Sequence, residues 1–142
     1  MQQAVIKQCQ ANYKRLLALL PTVQTMEQGS AVKMKADQFM DLNIDILRQQ
    51  GSVTQISMAH YHEQNGDLVS DPDMEVMLMH VTQLALPVHF QSGNFYRRCI
   101  EGTTITNVKE FNGQSSFLSQ WLRNIKAQGH KVVTPNPNHD GE

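Results

Sequence analysis

Residues 55–81, QISMAHYHEQNGDLVSDPDMEVMLMHV, decide the fold. Side chains in a strand repeat every two residues, so Ile56, Met58, His60 and His62 share one face of a first arm while Ser57, Ala59 and Tyr61 share the other. A second arm alternates in the same way, with Met74, Val76, Leu78 and His80 opposite Glu75, Met77, Met79 and Val81. Between the arms lie two turn signals, Asn65-Gly66-Asp67 and Asp71-Pro72-Asp73. Glycine accepts positive φ, proline fixes φ, and Asx side chains bond nearby backbone groups. The pattern predicts a β-hairpin presenting a polar, carboxylate-rich loop over residues 62–75.

Outward toward the N-terminus, residues 39–48, FMDLNIDILR, alternate Met40, Leu42, Ile44 and Ile46 against Asp41, Asn43 and Asp45, a half-buried strand by pattern. A short strand is expected at residues 31–35. Residues 2–20 carry Val5, Cys9, Leu16 and Leu20 on one stripe beside Ile6, Tyr13 and Leu17, the spacing of an amphipathic helix that Pro21 stops. Outward toward the C-terminus, residues 82–93 repeat Leu84, Leu86, Val88 and Phe90 at period two, and Pro87, which has no N–H to donate, places this strand at a sheet edge or a bend. Residues 95–100 and 103–108 read as a further strand pair around Glu101-Gly102, with Arg97 and Arg98 on opposite faces. Residues 114–128 return to helical spacing, with Phe117, Leu118, Trp121, Leu122 and Ile125 on one side, Ser115 or Ser116 as cap, and Gly129 at the C-terminal end. Residues 134–142 have little to bury and are expected to be a mobile tail.

The expected architecture is α+β in two layers: an N-terminal helix, an antiparallel sheet of about five or six strands, and a C-terminal helix, both helices on one sheet face. Trp121, Leu16 and Leu20 are expected in the helix-to-sheet core. Residues 1–133 form one domain by this reading. A chain of 142 residues can bury about two-thirds of its unfolded surface without a staple.

Charged residues are 18%, hydrophobic residues 40% and the formal net charge is -1. This balance argues against broad phosphate binding, which needs clustered cations, and against a mimic of DNA. Local basic groups occur at Lys14-Arg15, Arg97-Arg98 and within residues 123–131; a nucleic-acid contact through Arg97, Arg98, Arg123 and Lys126 is disfavoured. Cys9 and Cys99 form no CxxC unit and are expected as buried free thiols. No signal-peptide pattern and no apolar run of about 18 residues is present, so a cytoplasmic protein without a membrane span is expected.

His60 and His62, one strand repeat apart, could hold a metal together with His80 or with Asp67, Asp71 or Asp73. Against that, His60 shares its face with Ile56 and Met58 and fits the rim of the core. An EF-hand fails on spacing, because Gly66 precedes the acidic run. No nucleophile elbow, P-loop or GxGxxG is present, and no cofactor is implied. Met40, Met58, Met74, Met77 and Met79 make a methionine-rich sheet, read as core.

Three segments, FMDLNIDIL at 39–47, AHYHEQNGDLVSDPDMEV at 59–76 and FLSQWLRNIKAQGH at 117–130, resemble small bacterial domains of unknown function carried by plasmids, prophages and integrative elements. The NYKRLLALLP opening and the C-terminal WL helix are also similar to YqiB-like proteins. The signature positions are Asp41, Asn43, His60, Tyr61, Asn65, Gly66, Asp67, Asp71, Pro72, Asp73 and Glu75. The resemblance implies an α+β fold and an accessory role on a mobile element, without catalytic residues to carry over. The functional expectation is a non-enzymatic protein-binding module that engages a protein partner of unspecified identity through the outer sheet face or the 62–75 loop, with His62, Asn65, Asp67, Asp71, Asp73 and Glu75 as contact residues. The alternative is a small metal-dependent or hydrolytic enzyme using His60, His62 and the Asp67/Asp71/Asp73 loop. Oligomeric state is left open.

Overall fold

The computed structural model describes residues 2–133. Helix α1 (Gln3–Leu19) leads through a short 3-10 turn (Val23–Thr25) to strands β1 (Ala31–Lys35), β2 (Leu42–Gln50), β3 (Val53–Gln64), β4 (Asp67–Met79), β5 (Leu84–Ser92) and β6 (Phe95–Arg98). A small hairpin, β7 (Ile100–Glu101) and β8 (Thr104–Ile105), precedes α2 (Val108–Gln128), and β9 (Lys131–Val132) follows it. Seven strands form one sheet in the order β6-β5-β4-β3-β2-β1-β9, and every pairing in it is antiparallel. The sheet thus has seven strands where five or six are expected, and the edge strand β9 is the one that the sequence pattern does not mark. Residues 134–142, read as a tail, lie outside the described residues.

Register explains which face is buried. Val32, Ile44, Met58, Met74 and Phe90 stand opposite one another across β1 to β5, and Ile46, Ile56 and Val76 form the next row. These rows pack with Tyr13, Leu16 and Leu20 of α1 and Leu118, Trp121, Leu122 and Ile125 of α2 in one cluster. Each fully buried Leu, Ile, Met or Phe contributes about 1.5–3 kcal/mol by leaving water. The opposite parity carries the polar row Asp45, Ser57, Glu75, His89 and Arg98 and, further along β4 and β5, the apolar Met77, Met79, Leu84 and Leu86. Both helices therefore cover one face, as the period-two pattern requires.

The helices run side by side in the same direction: Asn12 Nδ2 donates to the Ser115 carbonyl at 3.1 Å and, a turn later, Arg15 Nη1 donates to Ser119 Oγ at 3.3 Å. Helix α2 starts earlier than its apolar stripe suggests. Its cap is Asn107, whose Oδ1 accepts from the Glu110 N–H at 3.0 Å, and Phe111 extends the stripe one heptad ahead of Leu118. Ser115 is instead buried inside the helix, beside Cys9 at 3.8 Å. Residues 107–108 thus belong to the helix and its cap, leaving only Thr104–Ile105 as the second strand of the small hairpin. Its expected partner also changes, because β6 pairs with β5 and only Ile100–Glu101 faces β8.

Pro87 sits at a bulge, in the part of β5 that pairs with β4 but not with β6, in keeping with the expected edge or bend. β5 lies between β4 and β6, and a register shift at Glu75/Val76 accommodates the missing N–H as a bulge. The β7–β8 hairpin follows the part of β5 that β6 leaves unpaired, and its Ile100 and Ile105 join Met77, Met79, Leu84 and Leu86 with Cys99 and Phe111 in a second cluster. Both cysteines are free and buried.

Candidate functional site

The 62–75 segment is not a loop. Asn65 (φ 54°) and Gly66 (φ 84°) close a two-residue turn with both residues at positive φ, the geometry that matches the twist of the flanking strands. The second turn signal, Asp71-Pro72, is absorbed as an irregularity in β4 opposite His60, between the pairs Ala59↔Asp73 and Tyr61↔Ser70. The strands therefore continue to Gln64 and from Asp67. β2 pairs with β3 only up to His60, and β5 with β4 only from Asp73 onward, so residues 61–70 project as a ribbon paired only with itself. At its tip Leu68 is 69% exposed.

The expected contact residues divide between this ribbon and the second sheet face. Near the tip, His62 lies opposite Val69, with Asn65 in the turn and Asp67 exposed beside it. At the base, Asp71 accepts a hydrogen bond from Ser92 Oγ, and Asp73 stands between Ala59 and Gln91. Glu75 lies in a row that runs across five strands: Asp45, Ser57, Glu75, His89, Arg98. Its carboxylate takes a hydrogen bond from Gln55 Nε2 and lies 3.4 Å from His89 Nε2. The His89 contact, with the Gln55 amide, holds Glu75 below the usual carboxylate range despite its partial burial. Tyr61 is pushed the other way, by burial and by the nearby carboxylates of Asp45 and Asp73, so its phenol stays protonated.

His89 was not singled out from sequence. Its Nδ1 is buried and has no hydrogen-bond partner among the described residues, while its ring lies 5.1 Å from that of Tyr96. The face thus holds an ionised carboxylate, an imidazole with one uncommitted nitrogen and the Arg98 guanidinium in neighbouring register positions. Such a row can receive polar groups of a partner laid across the strands. Period two placed His89 on a face, but only the strand order β4-β5-β6 puts Glu75 and Arg98 on either side of it.

Two of the three histidines proposed as metal ligands, His60 and His80, have other work. Trp121 Nε1–H donates to His60 Nε2 at 2.9 Å, so the Nδ1–H of a neutral ring donates to the Asp41 carbonyl at 2.8 Å, and both nitrogens are committed. Burial lowers the pKa of His60, and His130 adds to it against a raising backbone contact. His80 lies elsewhere, its ring between Tyr13 Oη and Thr54 Oγ1, each at 2.7 Å. Among the described residues no three His, Cys, Asp or Glu side chains converge as a metal cage. The four basic residues weighed for a nucleic-acid contact do not form one surface. Arg97 and Arg98 face opposite sides of β6, with the Arg97 guanidinium 4.7 Å from the Phe95 ring centroid, while Arg123 and Lys126 lie on α2. No helix among the described residues is long and apolar enough to cross a membrane.

A two-layer α+β domain with a self-paired ribbon and a polar row across its second sheet face is the class that these elements define. The chain belongs to the family described as a domain of unknown function, DUF6908, which matches residues 12–131. No curated protein and no solved structure matches it.

Proposed function

We propose that this chain is a non-enzymatic, cytoplasmic protein-binding module, of the accessory, host-modulating kind carried by a mobile genetic element. The observation that carries the binding role is the ribbon of residues 61–70, whose backbone pairs only with itself and whose tip exposes Leu68 beside Asp67. A rigid scaffold presenting an exposed apolar residue among polar neighbours is a common design for a contact surface. The row from Asp45 to Arg98 supplies polar complementarity next to it. The mobile-element context rests on the resemblance of the 39–47, 59–76 and 117–130 segments.

The test is capture from the native host with a tagged chain, beside the variants Leu68→Asp and Asp67→Lys. Both positions are exposed, so the fold is retained; circular dichroism checks this. A partner that binds the purified wild-type chain and loses at least about tenfold in affinity with Leu68→Asp supports the reading, since truncation or reversal of a central contact costs 2 kcal/mol or more, roughly thirtyfold at full effect. A partner retained equally by both variants removes the ribbon from the interface.

A further inference from the structure

A second concavity lies on the helix layer, away from the ribbon. A groove of about 660 Å³ is enclosed by the C-terminal halves of α1 and α2, the inward Met34 of β1 and the edge strand β9. Its aliphatic lining is Ala18, Leu19, Met34, Leu122 and Val132. Beside His130, its charged lining is one-sided: Lys14, Arg15, Arg123, Lys126 and Lys131, with no carboxylate among the described residues.

The ordinary reason for cations at such a place is to neutralise helix ends. The two helices are parallel, so both C-termini approach this end of the layer, and each carries about half a negative charge. Together they offset only about one of the five cations, which leaves roughly four positive charges on the rim. None of the five is in an ion pair among the described residues; the pairs found involve Lys35, His89 and Arg98. Arg15 and Arg123 are held by neutral groups, Asn12 and Ser119. Among the described residues no carboxylate pairs with these cations; Asp37 and Asp41 lie in the adjoining concavity, which shares Gly129 and, of the five cations, only Lys131 with the groove.

We infer that this groove binds a free, single-chain amphipathic anion, an aliphatic body bearing a carboxylate or phosphate head. The aliphatic side chains accept the body, and the cations on the rim hold the head through charge-assisted hydrogen bonds. The volume falls within the 300–1,000 Å³ range of small-ligand sites and is small for the broad footprint of a protein partner. No Phe, Tyr or Trp lines it, and the one ring there, His130, is held by the Ile125 and Met40 carbonyls, so it lacks the stacking platform of a single-stranded nucleic-acid site.

The test is titration calorimetry of the full chain with sodium decanoate and decyl phosphate below their micelle concentrations, and with an uncharged decyl glycoside. Two variants accompany it: Ala18→Trp, which fills the groove from an exposed helix position, and the double variant Arg123→Glu/Lys126→Glu. The expected result is saturable one-to-one binding of at least one anion, no binding of the glycoside, and a loss of roughly tenfold for each charge-assisted contact removed in the double variant. Ala18→Trp is expected to abolish binding while leaving thermal unfolding in place. The inference is overturned if neither anion saturates, if the glycoside binds as well, or if Ala18→Trp binds like the wild type. It is also overturned if anionic vesicles, an acidic peptide or an oligonucleotide bind in a manner sensitive to the double variant while both monomeric anions fail.

Discussion

Replacing Tyr13 by Phe tests the polar chain that ties α1 to the end of the sheet. Thr54 Oγ1–H donates to Gln49 Oε1, so the Thr54 oxygen can only accept from His80 Nε2–H, 2.7 Å away. That fixes the neutral tautomer with a lone pair on Nδ1, which Tyr13 O–H satisfies at 2.7 Å. Gln49 completes the chain by donating to the carbonyls of Val23 and Met26 at 2.9 and 2.8 Å. Tyr13 is buried and its phenol pKa is raised by desolvation, so it remains a donor. Tyr13→Phe keeps the ring and removes only this donor, leaving a buried acceptor unsatisfied at a cost of about 1–3 kcal/mol. For a chain of 142 residues, with about 3 °C per kcal/mol, the melting temperature should fall by about 3–9 °C. Urea unfolding of Tyr13→Phe, Thr54→Val and the double variant measures it, and the double variant should cost at least about 0.5 kcal/mol less than the sum, because both break one chain. A Tyr13→Phe stability within about 0.5 kcal/mol of wild type, or strict additivity, would refute the chain as drawn.

Acidification should destabilise the fold through the same histidines. Burial depresses His80 and His60, so their contribution is fully present above the unfolded value near 6.5 and is lost as pH falls through the depressed folded values; melting temperature should drop between about pH 7.5 and 5, and a flat profile would contradict the buried neutral assignment. Trp121→Phe removes the donor to His60 Nε2 and should cost about 1–3 kcal/mol for the stranded acceptor plus a cavity term, read from urea midpoints at constant m. Cys99, pushed up to about 12 by desolvation and by Glu110, and Cys9, raised by burial, should both resist a disulfide reagent at pH 8 until the chain is denatured; rapid labelling of the folded protein would show one of them open to solvent.

The same chemistry sets how far the fold could be read from the chain. Period-two alternation at residues 42–46 and 53–60 and period 3.6 around Leu16 and Trp121 are local patterns imposed by burial of one face, and they survive in the structure. Asn65-Gly66 was legible for the same reason, since positive φ at both positions is a local demand. Pro72 misled because a bulge, which only a pairing partner defines, offers a proline a place inside a sheet, whereas Pro87 marks an irregular, one-sided stretch of β5 as its missing N–H requires. Asn107 was hidden behind the Ser115-Ser116 pair, two better-looking caps that lie inside the helix instead, Ser115 buried against Cys9 and Asn12 and Ser116 exposed.

By itself the sequence determined the class of fold, the faces of its elements and the central turn, because backbone geometry couples each of these to neighbours a few residues away. Tertiary structure alone decided which polar groups meet. Glu75 and His89, Tyr13 and His80, and the two basic groups of the helix-end groove, Lys14-Arg15 and Arg123 to Lys131, are separated by 14 to more than 100 positions in the chain. Their approach depends on strand order and on the parallel course of the two helices. Neither leaves a periodic trace, since a side chain's distant neighbour is set by the packing of whole layers.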